Sequence, residues 1–193
     1  MRGSDTNGAY AMQFSELSLD HRTALEQASR LLGEGQGHEA DALLHVGVEQ
    51  SIIVTGKGAA LETFVLAGAG ADALARRWRG GWPDAGRMEQ AIADVEDSIM
   101  ATPAEPAGGG ILLYHGSCTA QMLAMIGLST EDQQTAAIPR ERIELWFGDL
   151  AAAIEGSVTA GRGLPEDGQF AATLLVMREC MHHLDYGTLW VVS

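Results

Sequence analysis

Two short groups of residues in this chain have the types and spacing for chemistry. His45, Gly47, Glu49 and Ser51 follow the apolar run Ala42-Leu43-Leu44. His115, Gly116, Ser117, Cys118 and Thr119 follow Ile111-Leu112-Leu113-Tyr114. A glycine just past a strand lets backbone N–H groups point at an oxyanion with no Cβ in the way. Gly47 and Ser51 in the first group, and Gly116, Ser117 and Thr119 in the second, are therefore candidate anion-binding residues. The first group is poor in glycine: Val48, Glu49 and Gln50 follow Gly47, and a carboxylate at Glu49 would repel a phosphate. The second retains Gly116 and two hydroxyls at the start of an expected helix, where Ser117 either helps hold a small anion or caps the helix. His45, Glu49 and His115 are expected to line a cleft. With Cys118, the two histidines could form an acid–base or metal cluster. The spacing is neither C-x-x-C nor H-E-x-x-H, so no metal ligands are assigned.

Other groups read as ordinary surface or core. Cys180, His182, His183 and Asp185 crowd the end of a helix, where histidine interacts well with the helix dipole. Arg178 and Glu179 read as a solvated face. Arg76, Arg77 and Arg79, beside Trp78 and Trp82, form a basic cluster that suits either an acidic partner or arginines lying over apolar surface. The chain has no Walker loop, no G-x-S-x-G and no G-x-G-x-x-G fingerprint.

The elements that would position the two groups follow from periodicity. A helix is expected from about Leu19 to Leu32, on Ala24, Leu25, Ala28 and Leu31, with Gly33, Gly35 and Gly37 ending it. Ala42–Val48, Ser51–Thr55 and Leu61–Ala67 read as a meander of three strands, with a tight turn at Gly56-Lys57-Gly58. A short helix over Ala71–Trp78 follows. The next helix has Asp84 as N-cap and a stripe of Met88, Ile92, Val95 and Ile99. Then come a strand at Ile111–Tyr114, a helix from about Ser117 to Ile126, and a helix with Pro139 in its first turn. A last helix carries Phe170, Leu174, Met177, Met181 and Leu184, and a strand at Thr188–Val192 closes the chain. The expectation is an α/β fold of ribonuclease H-like type, with a mixed five-stranded sheet flanked by helices. Residues 1–13 are expected to be disordered, and 14–193 to form one domain with an N-terminal helix.

The 193 residues allow one domain with a substantial core. The net charge of −14, from 12 Lys+Arg against 26 Asp+Glu, argues against nucleic acid and anionic membrane as partners. Two cysteines make no disulfide framework. No apolar run approaches the roughly 20 residues that span a bilayer, and the N-terminus shows no apolar signal-peptide core. A cytoplasmic protein is expected.

The stretch from about Ala40 to Ser193 resembles the second ribonuclease H-like domain of the exopolyphosphatase/guanosine-pentaphosphate phosphohydrolase family. Leu44-His45-Val46-Gly47-Val48-Glu49-Gln50-Ser51-Ile52 resembles that family's v-x-D-x-G-G-G-S-T-E strand and loop. Leu66-Ala67-Gly68-Ala69-Gly70-Ala71 is similar to its Leu-x-x-Gly-Ala turn. Tyr114-His115-Gly116-Ser117-Cys118-Thr119-Ala120 resembles its V-G-G-T-A loop. Ala171–Glu179 and Leu189-Trp190-Val191-Val192-Ser193 resemble its closing helix and strand. The sequence departs from the pattern where His45 stands in place of an Asp that orients a metal or water, and where loop glycines are lost. The family's general-base glutamate belongs to its other domain, and its phosphates bind between the two.

The resemblance thus implies one side of a cleft in a bacterial protein that binds a ligand or another protein without catalysis, as a homodimer. It requires no cofactor and leaves room for a small anion or phosphate. The alternative it implies is a phosphohydrolase acting on polyphosphate or guanosine pentaphosphate, its cleft rebuilt by dimerisation, with Mg²⁺ entering only in that case.

Overall fold

In a computed structural model, residues 18–32, 40–56, 60–79, 81–129 and 135–192 are described. The expected stops at Gly33, Gly35 and Gly37, the Lys57-Gly58 part of the tight turn, and the disordered segment over residues 1–13 lie outside them. The elements in chain order are α1 (Leu19–Leu31), β1 (Ala42–Val46), β2 (Gln50–Thr55), β3 (Glu62–Ala67), α2 (Ala71–Arg77), α3 (Ala85–Met100), β4 (Gly110–Gly116), α4 (Thr119–Met125), β5 (Ala136–Pro139), α5 (Arg140–Ile154), α6 (Gly168–His183) and β6 (Tyr186–Val191).

The strands form one mixed sheet in the order β3-β2-β1-β4-β6-β5. β1, β2 and β3 make the antiparallel meander, while β1–β4 and β4–β6 are parallel. The expected five-stranded sheet thus has a sixth strand. β5 pairs antiparallel with β6 at the far edge. Pro139 does not enter the first turn of α5: it ends β5 and is the N-cap residue of the helix. A proline at the end of an edge strand removes no interior ladder bond.

Successive side chains on a strand face opposite ways, so each face has its own core. On one face Ala24 and Ala28 of α1, and Leu32 just past its end, pack on Leu43, Ile52, Val54 and Leu113. On the other, α2, α3, α4, α5 and α6 cover Leu44, Val46, Ile53, Leu112 and Tyr114. α6 is the central helix of that layer, buried along nearly its whole length. A helix apolar all round belongs in a core, and that corrects the reading of Glu179 as solvated. Glu179 is 1% exposed, held by Arg178 at 2.6 Å and near His183 at 3.3 Å. Arg178 reaches on to Glu144.

Candidate functional site

β1 and β4 run parallel in direct register, with His45 opposite His115 and Val46 opposite Gly116. Both candidate loops therefore leave the same end of the sheet, where open α/β folds bind ligands. A cleft of about 490 Å³ opens there, lined by His45, Gly47, Val48, His115, Gly116 and Ser117 from the strand ends. Asp20 and Thr23 of α1, Asp72 of α2 and Gln169 of α6 complete its polar lining. No lysine or arginine lines it among the described residues.

The first loop is filled from within. Val48 N–H donates to Asp20 Oδ1 at 3.2 Å, and Glu49 N–H donates to Asp20 Oδ2 at 3.1 Å. A side-chain carboxylate thus sits where a glycine loop would present its donors to an oxyanion. A Cβ on Gly47 would lie 2.4 Å from Asp20 Cγ, so the glycine is what lets the carboxylate approach. Asp20 is 8% exposed. It comes into place because Ser18 caps α1, accepting from His21 N–H at 3.1 Å, and puts Asp20 in the first turn. The loop's carbonyls are satisfied too: Ala71 and Ala73 of α2 donate to Gly47 O and Val48 O.

Ser51 does not reach the cleft. It is fully buried, and its hydroxyl donates to Ala69 O at 2.6 Å. Nor does Glu49 line it: its carboxylate is held by Arg76 at 2.6 and 2.8 Å. Arg77 pairs with Asp94. These partners, rather than apolar surface, take two arginines of the basic cluster. Arg76 and Arg79 line a neighbouring cavity of about 420 Å³ with Asp72, Asp167 and Gln169.

The second loop is closed by its own neighbours. Thr119 Oγ1 donates to Gly116 O at 3.0 Å, and the buried Tyr114 hydroxyl accepts from Cys118 N–H at 3.3 Å. Cys118, not Ser117, is the N-cap residue of α4, and no side chain caps it. The Cys118 thiol also leaves the histidines. It is 1% exposed and accepts from Thr173 Oγ1 at 3.4 Å, and burial pushes its pKa up. Cys118 and Cys180 are both free and buried.

His45 and His115 do meet. Their Nδ1 atoms are 3.0 Å apart, so one carries the proton the other accepts. The rings lie 5.2 Å apart at 28°. Burial, and next the neighbouring His115, push His45 down to about 4. Burial, and next Arg30, push His115 down as well. The pair is therefore uncharged at neutral pH. No group of three or more His, Cys, Asp or Glu placed to hold a metal occurs among the described residues. The two imidazoles themselves offer no ligand to Mg²⁺, which takes oxygen donors in octahedral array.

Sequence reasoning missed Asp20, Asp72, Gln169 and Tyr114. The signal available for Asp20 was its first-turn position, which reads equally well as a simple match to the helix dipole.

No family model matches the sequence, and no curated protein sequence does. Solved structures do match. The Aquifex aeolicus PPX-GPPA enzyme is 14% identical with a TM-score of 0.60, over 79% of this chain and 52% of that one. The type II variant of the Aquifex aeolicus Ppx/GppA phosphatase is 14% identical with a TM-score of 0.61, over 90% and 59%. An exopolyphosphatase from Cytophaga hutchinsonii is 8% identical with a TM-score of 0.57, over 87% and 59%. The chain spans between half and three-fifths of the length of these structures. The sheet order, the parallel β1–β4 pair with its two loops and these likenesses agree: the chain has the actin-like, ribonuclease H-like fold of a single domain of the Ppx/GppA proteins.

Proposed function

We propose that this chain is a non-catalytic relative of the exopolyphosphatases that works as a ligand- or protein-binding module. The observation that carries the reading is Asp20, whose carboxylate takes the N–H groups of Val48 and Glu49. Those are the donors an oxyanion would need. That no lysine or arginine lines the cleft among the described residues supports the same reading, because a transferring phosphoryl group is stabilised mainly by cations and aimed donors.

The test is a malachite-green phosphate-release assay with polyphosphate, guanosine pentaphosphate and ATP, with and without Mg²⁺. The expected result is release at the level of buffer alone. Turnover that His115→Ala abolishes would replace this reading with that of a phosphohydrolase. The reading extends to self-association as a homodimer. β3 and β5 are the edge strands among the described residues, and Val65 on β3 is exposed. An unpaired edge is a template for a second copy. A light-scattering mass of one chain at micromolar concentration would remove this extension.

A further inference from the structure

The His45–His115 pair does something no phosphate site needs. It holds two imidazole nitrogens together at the wall of a cleft that no lysine or arginine lines among the described residues. We propose that His45 Nδ1 and His115 Nδ1 form a two-point chelate for a divalent transition ion with a preference for nitrogen, Cu²⁺ foremost and then Ni²⁺.

Four observations carry this. The first is distance. With metal–nitrogen bonds of about 2.0–2.1 Å, nitrogens 3.0 Å apart subtend roughly 95° at a metal. That is the cis angle of a square-planar or octahedral ion, and it is narrower than the roughly 109° of tetrahedral Zn²⁺. The second is rigidity. The two residues are in register on adjacent parallel strands, so the sheet and not a loop fixes the backbone from which both rings project. The third is access. Both residues line the cleft of about 490 Å³, which has room for the water ligands that two protein donors leave to be supplied. The fourth is charge. Asp20 and Asp72 line the same cleft, no lysine or arginine does among the described residues, and the chain carries −14, which together outweigh Arg30, a cation outside the lining that acts on His115. Such a field draws cations.

Protonation agrees with this. Both imidazoles are held below the usual histidine range by burial, so both are neutral and ligand-ready near pH 7. Binding needs no net proton loss. The proton shared between the two Nδ1 atoms is replaced by the ion, and the ring that carried it takes the Nε2–H tautomer. Among the described residues no third ligand completes the set. The protein supplies two donors and water the rest.

The site does not depend on whether the chain hydrolyses phosphate, and its test does not read turnover. Full-length protein stripped with EDTA is titrated with Cu²⁺, Ni²⁺ and Zn²⁺ by calorimetry, and the Cu²⁺ form is examined by electron paramagnetic resonance. The expected result is one Cu²⁺ per chain, splitting from two equivalent nitrogens, and affinity in the order Cu²⁺, Ni²⁺, Zn²⁺. His115→Ala, with His115→Asn as a milder change, is expected to weaken Cu²⁺ binding at least tenfold. His182→Ala/His183→Ala, at the far end of α6, is expected to leave it unchanged. A spectrum with one nitrogen or none, or binding that follows His182 and His183 instead, overturns the proposal. Should a cleft variant fail to fold, a two-nitrogen spectrum kept by the His182→Ala/His183→Ala variant supports the proposal, and its loss there overturns it.

Discussion

The two loops at the cleft floor leave adjacent strands at the same edge, yet their backbones are satisfied in opposite ways. The β4–α4 loop is closed locally, by Thr119 on its own helix and Tyr114 on its own strand. The β1–β2 loop is closed remotely, by Asp20, 28 residues from Val48 along the chain, and by the first amides of α2. A locally closed loop keeps its shape whatever else docks. A remotely closed loop exists only when α1 and α2 are both seated, and it regains free donors as soon as Asp20 leaves. The first loop should therefore be the more fragile and the more convertible of the two.

The largest effect that separates them is expected from glycine replacement. A Cβ at Gly70 would lie 2.3 Å from Glu49 C, 2.4 Å from Val48 O and 2.5 Å from Gln50 N, all backbone of the first loop. Its φ of −78° is ordinary, so the cost is collision alone. Gly70→Ala is expected to lower stability by about 3 kcal/mol or more. At Gly116 the nearest atom is the Tyr114 hydroxyl, at 2.5 Å. A side chain can shift where backbone cannot, but Tyr114 is fully buried, and Gly116→Ala should cost about 1–3 kcal/mol, less than Gly70→Ala. Urea midpoints measure both. A larger loss at Gly116 would reverse the ranking of the loops.

Asp20→Ala comes next. It strips two N–H groups of their acceptor and should cost about 1–3 kcal/mol. It should also make the Val48 and Glu49 amides respond to inorganic phosphate in ¹H–¹⁵N spectra, which the unaltered protein does not. Tyr114→Phe removes one acceptor from the second loop, costs less, and creates no such response. Equal phosphate shifts with and without Asp20 would show that the carboxylate plugs nothing.

This remote closure is the part the sequence concealed. The meander, β4, β6 and the long helices announce themselves, because β-branched runs, glycine turns and apolar stripes are local signals, and their observed bounds fall within a few residues of the expected ones. The loops were legible from Gly47 and Gly116 for the same reason, as was the Asp84 cap, where Arg87 N–H donates at 2.9 Å. β5 was not legible. Ala136–Pro139 has four residues and a proline, and only pairing with β6 makes it a strand. Ser51 has the right residue type at the right spacing, but strand alternation turns its hydroxyl to Ala69 O. Asp20 needed the tertiary structure itself, since nothing beside it in the chain shows the loop it will face, and although Arg178 and His183 stand beside Glu179, its burial follows only from the central place of α6.

The histidine pair ties the two loops together, because His45 ends β1 and His115 precedes Gly116 on β4. Unfolded, His45 takes up its proton as pH falls through the ordinary histidine value of 6.5, whereas in the fold it does so only below about 4. As pH falls through 6.5 the unfolded chain takes up protons the folded one refuses, so stability is full above 6.5 and is lost down to about 4. His115 is shifted in the same direction and adds to the loss. In the presence of a chelator, His45 alone should remove about 1 kcal/mol between pH 7 and roughly pH 5.5. His45→Gln should flatten that slope. A slope that survives both His45→Gln and His115→Gln would place the titrating group outside the cleft.

The smallest effect is expected at Glu49, and it decides why the first loop refuses anions. Two causes compete: repulsion by the Glu49 carboxylate, and occupancy of the donors by Asp20. The Glu49–Arg76 pair is exposed, with side chains 64% and 58% accessible, and such pairs contribute about 0–1 kcal/mol and fade with salt. Its charge is already balanced by Arg76, whereas Asp20 is in direct contact with the amides. Glu49→Gln should therefore leave the thermal midpoint nearly unchanged and the Val48 and Glu49 amides still unresponsive to phosphate. If that substitution alone admits phosphate, repulsion is the cause, and Asp20 is a bystander that an anion displaces.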